Sequence, residues 1–162
     1  MKHVGRVLFV CGLLVLTAHR LPAPISAEPT STPTPEPGYD YRDFVLRHIQ
    51  KCINRDILGI VSDYTDTVDY YDNGIVGRSF IAQDRQKFAA SWPTLSIQLT
   101  SPINYDASNA PRVTVSFSYN FEARKGNKIS RGNAENVWTV LQTPNGLKIM
   151  TERQNVTNRS RK

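Results

Sequence analysis

Cysteine and histidine are scarce in this sequence, with two of the first and three of the second. Cys11, His3 and His19 fall in the opening segment, so Cys52 and His48 stand alone in the rest. No His or Cys pair has metal-ligand spacing, and no metal is expected. Without Cys11 there is no internal disulfide either. No glycine-rich phosphate loop, serine nucleophile elbow or dinucleotide fingerprint is present, so the reading is cofactor-free. Long apolar runs are also missing. The longest, Val7 to Ala18, falls short of the roughly 20 residues a spanning helix needs.

That run has a different use. Lys2, His3 and Arg6 precede it, and Ile25-Ser26-Ala27 follow with Glu28 next. A basic start, an apolar stretch and small residues at a cut are the parts of a secretory signal peptide. Residues 1–27 are therefore expected to be cleaved, giving an extracytoplasmic protein, periplasmic or secreted, with no membrane contact after cleavage; the alternative is an uncleaved or lipid anchor. Residues 28–38, E-P-T-S-T-P-T-P-E-P-G, hold four prolines and almost nothing apolar, which is a tether. A folded domain is expected over 39–156 and a basic tail over 157–162.

Charge narrows the partners. The 20 basic residues exceed the 14 acidic ones. Lys2, Arg6, Arg20, Arg159, Arg161 and Lys162 make up the whole excess, and without them 14 basic residues face 14 acidic ones. The basicity lies at the ends and not in a stripe suited to phosphates, so no nucleic acid is expected.

Within the domain, Tyr41, Phe44, Val45, His48, Ile49, Cys52 and Ile53 recur every three or four residues, the mark of an amphipathic helix. Asn54-Arg55-Asp56 interrupts it, and a second helix is expected from Ile57 to Tyr64. Val68 to Tyr71 reads as a short strand before an Asn73-Gly74 turn. Ser79 is expected to cap a third helix with Ile81, Phe88 and Trp92 inward, closed by Pro93. The period then changes to two. Leu95, Ile97 and Leu99 alternate with polar residues, as do Val113, Val115, Phe117, Tyr119 and Phe121. Two more strands are expected, Asn136–Thr143 and Leu147–Val156. The order predicts an α+β fold: a curved antiparallel sheet with about three N-terminal helices on its concave face.

The run V-L-R-H-I-Q-K-C-I-N-R-D-I-L-G-I-V-S-D-Y-T-D-T-V-D-Y-Y-D-N resembles the opening of the nuclear transport factor 2-like superfamily. That group includes SnoaL-like cyclases, scytalone dehydratase and ketosteroid isomerase. The resemblance covers Tyr39 to Val156 and implies a cone-shaped fold that hosts enzymes, binding modules and association domains alike. It also implies roles. The isomerase's aspartate base falls on Asp72, its first-helix tyrosine on His48, and its second acid near Glu135 or Asn136.

The residues themselves leave two readings of Asp72. It is a base that takes a proton beside a carbonyl, or an aspartate that accepts backbone N–H bonds in its turn. His48, inside the apolar stripe, is a hydrogen-bond donor to a ligand or a core histidine tied to one partner. Strand alternation puts Tyr70 on one face with Val68 and Asp72, and Asp69 with Tyr71 on the other. Asp84 turns inward or stays solvated. The expected site is one partly apolar pocket lined by His48, Tyr70, Asp72, Asp84, Phe117, Tyr119, Glu135 and Trp138. Its expected occupant is a small apolar or amphiphilic ligand. The alternatives are an isomerase or lyase using Asp72 and His48, and a scaffold forming a homodimer through the open sheet face.

Overall fold

A computed structural model of the chain describes residues 38–161, so the expected signal segment and the tether up to Pro37 lie outside the described residues. Helix α1, Tyr41–Asn54, buries Tyr41, Phe44, Val45, His48 and Ile49, the stripe its spacing announces. Asp40 caps it by accepting the Asp43 N–H at 2.8 Å. It ends at Arg55, which takes a left-handed φ of 60°. A residue with a side chain is held there at a cost of about 1–2 kcal/mol. Arg55 is anchored by its guanidinium, which donates to the Trp92 carbonyl and lies 5.2 Å over the Phe88 ring. Asp56 then caps α2, Ile57–Ser62, through the Gly59 N–H.

Helix α2 ends two residues before the expected Tyr64. The Asp63 carbonyl instead accepts the Ile149 N–H at 2.8 Å, and Tyr64 opens strand β1, Tyr64–Tyr70. A pairing with a partner 85 positions away in sequence, Tyr64 with Ile149, overrides the local helical pattern. Strand β2, Ile75–Gly77, returns antiparallel to β1. Gly74 makes the turn with φ 70°, a conformation glycine adopts without strain. Helix α3, Arg78–Ser91, starts from Gly77 with no side-chain cap, not from Ser79. Only Ile81 on it is fully buried; Phe88 keeps 37% of its surface.

The other strands are β3 (Thr94–Leu99), β4 (Asn104–Asp106), β5 (Arg112–Lys125), β6 (Lys128–Thr143) and β7 (Gly146–Arg161). They form one sheet in the order β2-β1-β7-β6-β5-β3, with β4 also on β5. All pairs are antiparallel except β1 with β7. β4 was not expected, because its three residues are exposed and carry no apolar alternation. β7 runs on to Arg161, pairing Ser160 with Arg131 and Arg161 with Ser130. The sheet therefore takes in residues read as a basic tail. The helices pack on the concave face. The rings of Phe44 and His48 meet Trp138 of β6 edge-on at 6.4 and 5.1 Å.

The inward positions of β5 and β6 change along the sheet. At one end Val113 lies opposite Val140, Val115 opposite Trp138 and Phe117 opposite Asn136. These side chains are buried, and with Phe44, Val45, Tyr64 and Ile149 they make the core. Each large apolar group so buried stabilises by roughly 1.5–3 kcal/mol. At the other end Tyr119 faces Ala134, Phe121 faces Gly132 and Ala123 faces Ser130. A Cβ on Gly132 would meet the Phe121 ring at 2.9 Å, so the glycine lets that ring lie flat on the sheet. Large side chains fill one half of the concave face, and small ones leave the other half hollow.

Candidate functional site

The hollow half encloses a cavity of about 240 Å³. Its apolar wall includes Ile57 and Ile60 of α2, Phe88 of α3, Leu95 and Ile97 of β3, and Phe121 of β5. Polar groups reach it from four directions: Cys52 from α1, Asp84 and Arg85 from α3, Tyr71 beyond β1, and Gln154 with Arg159 from β7. Arg159 gets there by a break in register between Arg131 and Asn133, beside Asn158 with φ 51°.

A second break in β7, opposite Thr139 and Val140, shifts its alternation so that Ile149 and Glu152 are both buried. Glu152, 3% exposed, is saturated with donors. It accepts from the Tyr64 hydroxyl, from the Tyr71 hydroxyl at 2.7 Å, and from Arg85 Nη2 at 3.2 Å on both oxygens. Arg85 Nη2 also donates to the Tyr71 hydroxyl at 3.0 Å, and its guanidinium lies over the Tyr70 and Tyr71 rings. Burial raises the pKa of Tyr64 and of Tyr71 well above the usual phenol, so both are neutral donors. Burial opposes the Arg85 charge, but the Glu152 carboxylate and the phenol oxygens that accept its N–H bonds keep it charged. Through Tyr71 and Arg85 this hydrogen-bonded cluster forms part of the cavity wall.

On the opposite side, His48 Nδ1 lies 2.9 Å from Asp63 Oδ2, and Lys51 Nζ donates to Oδ1 at 2.6 Å. His48 Nε2 is buried and has no partner among the described residues. Burial disfavours the charged imidazole, yet the Cys52 sulfur beside it and the Asp63 carboxylate push it up to about 9. Burial likewise pushes the Cys52 thiol up, and the His48 charge outweighs it, leaving the thiol below its ordinary value. For Asp63, burial is outweighed by its bonds to His48 and Lys51, which hold it below the usual carboxylate range.

The expected site residues divide into three groups. Asp84 and Tyr119 line the cavity, Tyr119 through a hydroxyl that accepts from Gln154 at 2.7 Å. Tyr70 is fully buried just behind it and donates to Asp84 at 2.8 Å. His48, Phe117 and Trp138 belong to the packed region, the last two edge-on at 4.8 Å. Asp72 and Glu135 do not reach the cavity. Both are exposed and line a shallow depression on the outer side with Val137 and Asn155. The expected pairing of Asp72 with His48 is therefore not present.

The cause is local. Tyr71 adopts φ 48° and enters a short 3-10 turn, Tyr71–Asn73. Strand alternation stops there, so Tyr70 and Tyr71 both turn inward, their rings 4.3 Å apart. Asp72 is left outside, and its carboxylate accepts no hydrogen bond from the described residues. Arg85 was within reach of sequence reasoning, since it stands four residues after the buried Ile81. Glu152 and Arg159 were not, because each depends on a bulge that breaks the period of two.

Among the described residues no group of His, Cys, Asp and Glu could hold a metal ion, and no helix is long and apolar enough to cross a membrane. No family model and no curated protein matches the sequence. Solved structures do match. One is a candidate aromatic ring hydroxylase of Novosphingobium aromaticivorans, at 13% identity and TM-score 0.67, covering 75% of this chain and 90% of that one. Another, from the same organism, is a candidate scytalone dehydratase, at 13% identity and TM-score 0.64, covering 74% and 83%. A third, also from that organism, is a nuclear transport factor 2-like protein with a cystatin-like fold. It matches at 15% identity and TM-score 0.57, covering 72% and 79%. At these identities the likeness speaks for architecture, and the order of helices and strands agrees with it: this chain has the nuclear transport factor 2-like fold.

Proposed function

We propose that this domain binds one small amphiphilic molecule in the cavity beneath α2 and α3. The observation that carries the reading is the hollow half itself. Ile57, Ile60, Phe88, Leu95, Ile97 and Phe121 enclose space that no side chain fills, with polar groups fixed at its wall. Apolar walls with a few placed polar groups are the usual make-up of ligand sites. At about 240 Å³ the space is below the ~300 Å³ where drug-sized clefts begin, which suits one or two rings.

A catalytic role is the second reading, favoured by Asp84. Among the described residues it is the one carboxylate that lines the cavity, and it accepts from a phenol, not a cation. That makes it the candidate base in place of Asp72. The resemblance in fold to a candidate dehydratase supports the same reading. Export is part of the proposal too, resting on the basic and apolar opening of the sequence.

Displacement of an environment-sensitive dye by a panel of small cyclic carbonyl compounds tests binding, with absorbance followed for turnover. Ile97→Trp, which fills the cavity, is expected to abolish displacement while the chain stays folded. Displacement unchanged in Ile97→Trp would place the ligand elsewhere and end the proposal. Turnover lost in Asp84→Asn would favour the enzyme. N-terminal sequencing of the natively produced protein checks export, and an intact Met1 would refute it.

A further inference from the structure

The charges at the cavity wall are unequal. Among the described residues Arg55, Arg85 and Arg159 line it, against the single carboxylate of Asp84. Arg85 is already matched by Glu152. Asp84 is already occupied by the Tyr70 hydroxyl. That leaves Arg55 and Arg159 without a carboxylate partner among the described residues.

Arg55 is not a loose surface side chain. Its position follows from the left-handed close of α1, and its guanidinium is held by the Trp92 carbonyl and the Phe88 ring. Its Nε is buried with no partner, and burial lowers its pKa from the ordinary value. A donor stripped of water and left unpaired is costly unless something completes it. Arg159 reaches the same cavity only because of the bulge at Asn158. Both residues border the cavity whose wall includes Phe88, Phe121, Leu95 and Ile97, Arg55 half-buried and Arg159 exposed.

We propose that the ligand is a small cyclic carboxylate, its ring system in the apolar part of the cavity and its carboxylate held by Arg55 and Arg159. The inference rests on the ligand-binding reading and adds the charge of the ligand to it. A guanidinium fork matches a carboxylate with two parallel N–H bonds, and the bond from half-buried Arg55 gains more than the one from exposed Arg159. Arg85 contributes less, since Glu152 neutralises it.

The test uses the full chain and a matched pair of probes, naphthoate and naphthamide, which differ in charge and hardly in shape. Affinities are measured by calorimetry, and alkylation of Cys52 by iodoacetamide reports whether the cavity is occupied. Naphthoate is expected to bind at least about tenfold tighter than the amide and to shield Cys52. Arg159→Gln should lower that preference, and Arg55→Gln with Arg159→Gln should remove it, with naphthamide affinity nearly unchanged. Equal binding of both probes with Cys52 shielded would overturn the carboxylate inference and leave the ligand-binding reading standing. A preference that survives in the double variant would overturn it as well. No binding of either probe, with Cys52 unshielded, would remove both readings.

Discussion

One half of the inward face of β6 carries Asn136, Trp138 and Val140, and the other carries Ser130, Gly132 and Ala134. The same strand, with the same pleat and the same neighbours, closes a core at one end and leaves a cavity at the other. Side-chain volume on β6 makes that difference, while the bulges in neighbouring β7 set which of its side chains turn inward. Stability should therefore reside in the filled half and recognition in the hollow half, and substitutions in the two should have different consequences.

The largest effects belong to the filled half and to the buried ion pair at its border. Trp138→Ala should cost about 3–5 kcal/mol, seen as a large drop in Tm. Leu95→Ala in the cavity wall should cost much less, since its side chain lacks full contact on one side. Comparable losses would erase the distinction between the halves. Glu152→Ala leaves the Arg85 guanidinium buried without its carboxylate, and should also cost about 3–5 kcal/mol. Arg85→Met combined with Glu152→Leu should be less damaging than the two single losses added. Chemical denaturation of the three variants measures this.

A smaller effect depends on pH. Asp63 is held below the ordinary carboxylate value by His48 and Lys51, so its contribution is present above the unfolded value of about 3.9. That contribution is lost as pH falls from there through the lower folded value. Asp63→Asn should flatten this acid loss in denaturation curves taken at successive pH values. The thiol on the same side offers a kinetic check. With His48 beside it, Cys52 should alkylate with a half-maximal pH below the ~8.5 of a free thiol. His48→Phe should move that midpoint upward, and no movement would show that the two side chains are not coupled.

The smallest effect concerns the depression outside the sheet. Asp72→Asn should change Tm and ligand binding hardly at all, within about 0.5 kcal/mol, because Asp72 is exposed and does not border the cavity. A loss of binding in this variant would return it to the site.

The same comparison explains what the sequence disclosed. The helix stripe from Tyr41 to Ile53 and the alternation from Val113 to Phe121 are regular, so the α+β order and the inward residues of the filled half could be read from period alone. Irregular backbone hid the site. Tyr71 leaves the strand with a positive φ, which brings one phenol in and puts Asp72 out. Two bulges in β7 turn Glu152 and Arg159 inward, and no periodic pattern marks either. The small side chains of Ser130, Gly132 and Ala134 were visible throughout. Their meaning depends on the register of β6 against β5, which only the fold supplies.

The most direct measurement is a map of amide and methyl shifts on titration with a small aromatic probe such as naphthoate. Changes are expected at Cys52, Leu95, Ile97, Phe121 and Val156, which border the cavity, with Val113, Val140 and Phe44 in the filled half unaffected. Changes confined to Glu135, Val137 and Asn155 on the outer side, or spread evenly through the core, would contradict the account.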